Sequence, residues 1–206
     1  SLGTPDIIVP MGNQNIPASG TINYRYASYL YTGPDVWLRA AVPLPGTLSV
    51  VHHILVLQGA DNAVNSFLTG YAPGSSPGAF PPNTGKLLTS GTVLTFQLHY
   101  IAIGHATNDS SRLGLYTTPI APAYPLIQTS AASSGFAIPP NKNEYQFVTQ
   151  SSPLTTNVWL HEMSPHMHTR GVSFKYEAIY TNGLSEVLLS VPRYEFHWQN
   201  AYRFDP

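Results

Sequence analysis

The sequence contains no cysteine and very little charge. Of its 206 residues, 9 are lysine or arginine and 10 are aspartate or glutamate, which gives a formal net charge of −1. Without cysteine the chain cannot form disulfides, thiolate metal sites or iron–sulfur clusters. Concentrated lysine and arginine, which phosphate binding requires, are missing, so nucleic acid is excluded as a partner. No apolar run approaches the ~20 residues of a membrane-spanning helix, so we expect no membrane insertion.

What the sequence does contain is typical of antiparallel β structure. Its 19 prolines and 16 glycines separate short runs rich in valine, isoleucine, leucine, threonine and tyrosine. We therefore predict an all-β chain with two antiparallel, jelly-roll-like β-sandwich domains. The predicted strands are residues 21–29, 36–42, 48–57, 93–103, 112–116, 144–149, 156–163, 172–180 and 185–190. Thr181-Asn182-Gly183 predicts a tight hairpin, with Asn-Gly supplying the positive φ.

The domain boundary is predicted at a run of prolines. Residues 117–125 contain three of them, so the prediction is a first domain over 1–118, a linker over 119–125 and a second domain over 126–206. A β-sandwich usually needs about 100 residues in seven or so strands. We therefore expect the second sandwich to be completed by further polypeptide or by a protein partner. The low charge favours an exported protein, periplasmic or extracellular.

Five of the eight histidines fall into two groups. In the first, His52 and His53 are adjacent on one predicted strand and His99 lies on another. Adjacent strand residues face opposite sides, so both can reach one ion only where a bulge or a strand end turns one ring. Three imidazoles with an open position suit copper or zinc. Gln97 shares a face with His99, and we expect it to support a ligand from outside the coordination sphere.

The second group is His166-Met167-His168. In an extended strand these two histidines share a face, roughly 7 Å apart at the backbone, and Met167 points the other way. Taken alone, this pair is equally consistent with a metal half-site and with two ordinary surface residues. Taken alone, His52 and His53 would be one buried ring and one exposed ring. A lone histidine is more often a hydrogen-bonded core or rim residue, which is our interpretation of His105, His161 and His197.

The order of these motifs resembles that of the type II copper, ascorbate-dependent monooxygenases. These include the peptide-amidating (peptidylglycine α-hydroxylating) enzymes, dopamine β-monooxygenase and bacterial relatives, and the likeness to the bacterial members covers nearly the whole chain. The motifs are Val36-Trp37-Leu38-Arg39-Ala40, Val51-His52-His53-Ile54-Leu55-Val56, Gly70-Tyr71-Ala72-Pro73-Gly74, Phe96-Gln97-Leu98-His99-Tyr100, Ile138-Pro139-Pro140, Pro165-His166-Met167-His168-Thr169-Arg170-Gly171, Leu188-Leu189-Ser190-Val191-Pro192-Arg193-Tyr194 and Phe196-His197-Trp198-Gln199.

This resemblance implies two copper ions and ascorbate as the reductant. His52, His53 and His99 would hold the electron-supplying copper in the first domain. His166 and His168 would be the catalytic pair that holds the oxygen-activating copper in the second. In the family, dioxygen then converts a substrate C–H bond into C–OH. The substrate is expected to be a small molecule or a peptide.

Two positions depart from the family pattern. The methionine that completes the second copper site in the family comes from a later strand than this sequence contains, and neither Met163 nor Met167 matches it. Ser164 stands where peptide-amidating members carry the arginine that binds the substrate carboxylate, so a C-terminal glycyl peptide is not the expected substrate. Two alternatives stay open: a non-catalytic copper-binding or structural subunit on the same scaffold, and zinc at the first trio alone.

Overall fold

The computed structural model describes residues 2–59, 67–73, 79–133, 135–196 and 200–204. In these ranges the chain is all-β, as predicted, with no helix. No helix within them has the length and apolarity that a membrane crossing would need. The strands are β1 (Ile7–Pro10), β2 (Gln14–Ile16), β3 (Arg25–Leu30), β4 (Val36–Leu44), β5 (Val51–Gln58), β6 (Phe67–Tyr71), β7 (Thr84–Leu88), β8 (Val93–Tyr100), β9 (Thr107–Asp109), β10 (Arg112–Thr118), β11 (Tyr124–Pro125), β12 (Glu162–Met163), β13 (Phe174–Ile179), β14 (Ser185–Val191) and β15 (Tyr202–Arg203).

The chain divides into two compact units, Ser1–Thr155 and Thr156–Pro206. The first unit contains a five-stranded sheet in the order β1-β10-β4-β7-β11 and a four-stranded sheet in the order β3-β8-β5-β6. Neighbouring strands are antiparallel except at the short β11–β7 pair. The predicted linker at 119–125 therefore lies inside the first unit and includes β11.

Buried side chains from both sheets form one hydrophobic core, so the first unit is a β-sandwich. Leu38 and Leu115 come from the five-stranded sheet, and Ile54, Phe96 and Leu98 come from the four-stranded one; each is at most 1% exposed. Burying a side chain of this size stabilises the fold by roughly 1.5–3 kcal/mol. The opposite face of the four-stranded sheet is partly exposed, and His53 and His99 lie there.

The five strands predicted between residues 21 and 116 are present with shifted ends. β5 and β8 are runs rich in valine and leucine, as predicted, and their buried and partly exposed residues alternate only in part. Two later predictions are wrong. Residues 144–149 form no strand, and of residues 156–163 only Glu162–Met163 do. These stretches are mostly exposed, with Trp159 at 82%, so a run of β-favouring residues was not enough to give a strand without a sheet to pack in.

The second unit contains two strand pairs in its described residues, β12 with β15 and β13 with β14. The hairpin between β13 and β14 lies where it was predicted, with a different turn. Gly183 alone has positive φ, at 84°, and its N–H donates to the carbonyl of Tyr180 at 2.9 Å. The loop is a three-residue one in which a type I turn is followed by a left-handed glycine.

Candidate metal centre

A β-bulge brings His52 and His53 to the same place. In the β5–β8 ladder Val51 pairs with Tyr100 and His53 pairs with His99, so the register shifts and His52 is an extra residue of β5. An extra residue breaks the alternation of faces at that point. This is the distortion that the sequence required if adjacent histidines were to share an ion.

The three rings meet through their Nδ1 atoms. Nδ1 of His52 lies 3.2 Å from Nδ1 of His53 and 3.3 Å from Nδ1 of His99. One ligand nitrogen from each ring lies within 4.8 Å of the others. Nitrogens bound to one tetrahedral ion at about 2.0–2.1 Å lie roughly 3.3–3.4 Å apart. The two distances from His52 therefore match the spacing of metal ligands, and all three rings bring a ligand nitrogen within 4.8 Å of the others.

The donors also have the right chemistry. Imidazole binds zinc, copper, iron and nickel in its neutral form. Burial, and then the nearby charge of His52, lower the pKa of His99. A lowered pKa keeps the ring neutral at neutral pH, with a lone pair free for a ligand bond. The trio can bind a metal ion.

Tyr24 covers one side of the trio. Its ring centroid lies 4.7 Å from that of His99 and 5.6 Å from that of His53, in tilted contacts. Tyr24 is 44% exposed, so its ring contacts both the imidazoles and solvent. The sequence did not identify it, although a tyrosine just before β3, which pairs with the His99 strand, was a signal that could have done so.

Gln97 lies two residues from His99 on β8, as the strand period required. Its side-chain nitrogen donates to the Tyr26 hydroxyl at 3.0 Å. Its predicted support of a metal ligand stays a prediction. His105 is exposed, in a loop beyond β8, and is not a member of the trio.

His166 and His168 come together in the second unit, and their backbone setting differs from the prediction. Their ring centroids lie 5.2 Å apart at an interplanar angle of 76°, and both side chains are exposed. The strand setting was wrong, because residues 164–168 lie outside every strand. The two imidazoles are nevertheless neighbours, as the alternation of an extended chain requires.

The hydroxyl of Tyr194 bonds both backbone groups of Met167, as a neighbouring strand would do. The hydroxyl of Tyr194 accepts from the Met167 N–H at 2.9 Å and donates to the Met167 carbonyl at 2.8 Å. Tyr194 itself is 9% exposed. One buried group thus satisfies both backbone groups of the residue between the two histidines, which fixes the extended conformation there.

Two other candidates from the sequence, Met163 and His161, belong to the β12–β15 strand pair or lie beside it. Met163 is on β12, opposite Tyr202, and the carbonyl of His161 accepts from the Phe204 N–H at 2.9 Å. His161 is half-buried, which agrees with its interpretation as a rim residue. His197 lies outside the described residues.

Comparison with known protein families finds no match to this chain, and comparison with curated proteins finds none either.

Proposed function

We propose that the chain is a copper-dependent monooxygenase that hydroxylates a substrate C–H bond with dioxygen and a reductant such as ascorbate. The observation that carries the proposal is the convergence of three imidazoles, in which Nδ1 of His52 lies 3.2 Å from Nδ1 of His53 and 3.3 Å from Nδ1 of His99. The adjacent imidazoles of His166 and His168 support a second metal position. The resemblance in motif order favours copper over zinc.

Copper at these histidines would supply one-electron redox chemistry, since imidazole supports both Cu(I) and Cu(II). The trio would hold the copper that passes electrons, and His166 with His168 the copper at which oxygen is activated. In the overall reaction one atom of dioxygen enters the C–H bond and the other leaves as water. The reductant supplies two electrons and solvent two protons, so the reaction balances.

The chain's own residues give the two positions different characters. The trio is half-buried on a sheet face, with the Tyr24 ring over it, which suits a site that exchanges electrons. The pair at His166 and His168 is exposed, which suits a site that admits dioxygen and substrate. Ser164, in place of an arginine, argues against a substrate held by a terminal carboxylate. We also propose that the protein is exported from the cytoplasm. Nucleic acid is not among the partners that we propose for it.

A second candidate is a copper-binding or structural protein on the same scaffold that does not catalyse the reaction. The observation that favours it is the difference in ligand count. Within the described residues, the first group brings three nitrogen ligands together, whereas the second pair brings two exposed imidazoles. Such a protein would act as a subunit of a larger assembly.

Metal analysis and electron paramagnetic resonance of the copper-loaded chain separate the two candidates. The monooxygenase predicts two type II Cu(II) signals per chain and oxygen uptake driven by ascorbate. His99→Ala should abolish one signal, and the double variant His166→Ala/His168→Ala the other. His105→Ala, which removes an exposed histidine outside both groups, should leave both signals intact.

Two other outcomes are informative. One copper per chain and no ascorbate-driven oxygen uptake would reject the monooxygenase in favour of the non-catalytic protein. Binding of zinc at the trio, with no affinity for copper at either position, would reject both.

A further inference from the structure

Asp109 is a buried carboxylate in a chain that has few carboxylates. It ends β9 and is 1% exposed. Four donors reach it: the Thr47 N–H at 2.8 Å on Oδ1, and the Tyr100 hydroxyl at 2.9 Å, the Ser111 N–H at 3.1 Å and the Ser111 hydroxyl at 2.7 Å, all on Oδ2. A buried carboxylate is tolerated only where such donors replace water.

Two of these donors belong to the segments that carry the histidine trio. Tyr100 ends β8, directly after His99, and it pairs with Val51, directly before His52. Thr47 begins the turn that leads into β5, since its carbonyl accepts from the N–H groups of Val50 and Val51 at 3.1 and 3.2 Å. One carboxylate therefore joins the entry to β5 to the exit of β8.

Close packing around Asp109 leaves this turn little room to move. A Cβ atom at Gly46 would lie 2.9 Å from Oδ1 of Asp109 and 3.0 Å from the backbone of Ser110. The Gly46 N–H donates to the Ser111 hydroxyl at 3.2 Å, and that hydroxyl donates in turn to Asp109. The Ile101 N–H closes the junction by donating to the Val50 carbonyl at 2.9 Å.

We propose that Asp109 is a positioning residue for the His52–His53–His99 centre. It holds Thr47 and Tyr100 at a fixed separation, and this fixes the place along β8 at which the extra residue of β5 is accommodated. Without that restraint the β5–β8 ladder can shift, and the three Nδ1 atoms lose their common point. The inference rests on the proposed metal binding at the trio.

The test is metal affinity in a background that binds at the trio alone. In a His166→Ala/His168→Ala chain, Cu(II) affinity would be measured by chelator competition, well below the unfolding midpoint, for Asp109→Asn and for Tyr100→Phe. Each substitution weakens the carboxylate–donor network while nearly preserving volume. We expect the Kd to rise about tenfold, the scale seen when the supports of metal ligands are removed.

Asp6→Asn is the matched control. Asp6 also accepts a backbone N–H, from Thr117 at 2.7 Å, and the Thr117 hydroxyl, but it acts on β10 of the other sheet. Its Cu(II) Kd should stay within twofold of the background chain, whatever the change in unfolding midpoint. If Asp109→Asn lowers the midpoint and also leaves the Kd within twofold, Asp109 is merely structural and the inference is wrong.

Amide hydrogen exchange in the metal-free chain separates this inference from the proposed function. Exchange of the Ile101 N–H, which reports the β5–β8 junction, should be about tenfold faster in Asp109→Asn than in Asp6→Asn. A background chain that binds no copper would defeat the proposed function, and the exchange rates would still decide whether Asp109 sets the junction. Equal rates in the two variants would overturn the inference.

Discussion

Gly171 lies directly against Met167, the residue between the paired histidines of the second unit. A Cβ atom at Gly171 would be 2.6 Å from Cβ of Met167 and 2.9 Å from its Cε. The Gly171 N–H also donates to the His168 carbonyl at 2.8 Å, so the turn after the histidines folds back onto them. The absence of a side chain at residue 171 is thus a condition for the conformation of the pair.

Gly171→Ala should destabilise the second unit by about 1–3 kcal/mol, the usual cost of forcing atoms into a packed position. Denaturant unfolding measures the loss, and copper titration should show weaker binding at His166 and His168. Gly135→Ala is the control, because a Cβ there meets nothing within 4 Å. Equal unfolding free energies for the two variants would contradict the packing argument.

Tyr194→Phe removes the hydroxyl that holds both backbone groups of Met167. The free energy of unfolding should fall by about 1–3 kcal/mol, because a partly buried N–H and carbonyl lose their partner. Tyr180→Phe is the matched control, since that hydroxyl donates to the side chain of Glu186 at 2.7 Å in an exposed pair. A copper titration that shows the two variants alike would mean that Tyr194 does not position the histidines.

The lowered pKa of His99 gives the metal-free protein a predictable pH dependence. Because burial and then His52 lower this pKa in the folded state, the folded chain takes up the His99 proton less readily than the unfolded chain. The contribution of His99 to stability is full above its ordinary value of about 6.5 and is lost as the pH falls through the folded value. Unfolding in urea between pH 8 and 5 should show wild type losing stability relative to His99→Gln on acidification.

Nuclear magnetic resonance measures the same quantity directly. The His99 ring should titrate below its ordinary range, and His52→Ala should raise its midpoint part of the way back by removing the second cause. No change in the His99 midpoint on removal of His52 would show that the two rings do not interact electrostatically.

Tyr24→Ala should weaken metal binding at the trio about fivefold, which corresponds to roughly 1 kcal/mol for a lost aromatic contact. The reason is that His53 and His99 lose the ring that limits their rotation. Tyr24→Phe keeps the ring and should bind copper as wild type does. If the alanine variant keeps full affinity, the β5–β8 ladder alone orders the imidazoles.

The strands that carry the first histidine group could be predicted from sequence because strand composition is local, whereas grouping His99 with His52, 47 residues away, rested on the order of the motifs. Short runs of β-favouring residues indicated β5 and β8, and the adjacency of His52 and His53 indicated which distortion a shared ion would need. The hydrogen bonds that hold the histidine-bearing segments in place could not be predicted from the sequence. The hydrogen bonds from Thr47 to Asp109 and from Met167 to Tyr194 span 62 and 27 residues. Sequence periodicity describes which face a side chain takes, and it does not say which distant backbone group it will meet.

For the second histidine group, the contact between the rings could be predicted and the secondary structure could not. Residues two apart in any extended segment share a face, so the neighbouring rings of His166 and His168 followed from spacing alone. The predicted strand is absent, because a strand needs a neighbouring strand to bond its backbone groups. At Met167 the hydroxyl of Tyr194 bonds both backbone groups instead. The two-residue spacing of His166 and His168 predicted that their rings would be neighbours, although the predicted secondary structure was wrong.

The extra residue at His52 has a consequence for how such a centre can arise. Without that bulge β5 and β8 would form a regular antiparallel pair, in which two neighbouring rings would lie on opposite sides of the sheet. In a strand pair that already carries two of the histidines, a one-codon insertion of the third would thus gather three nitrogens without any new loop, and a one-codon deletion would disperse them again.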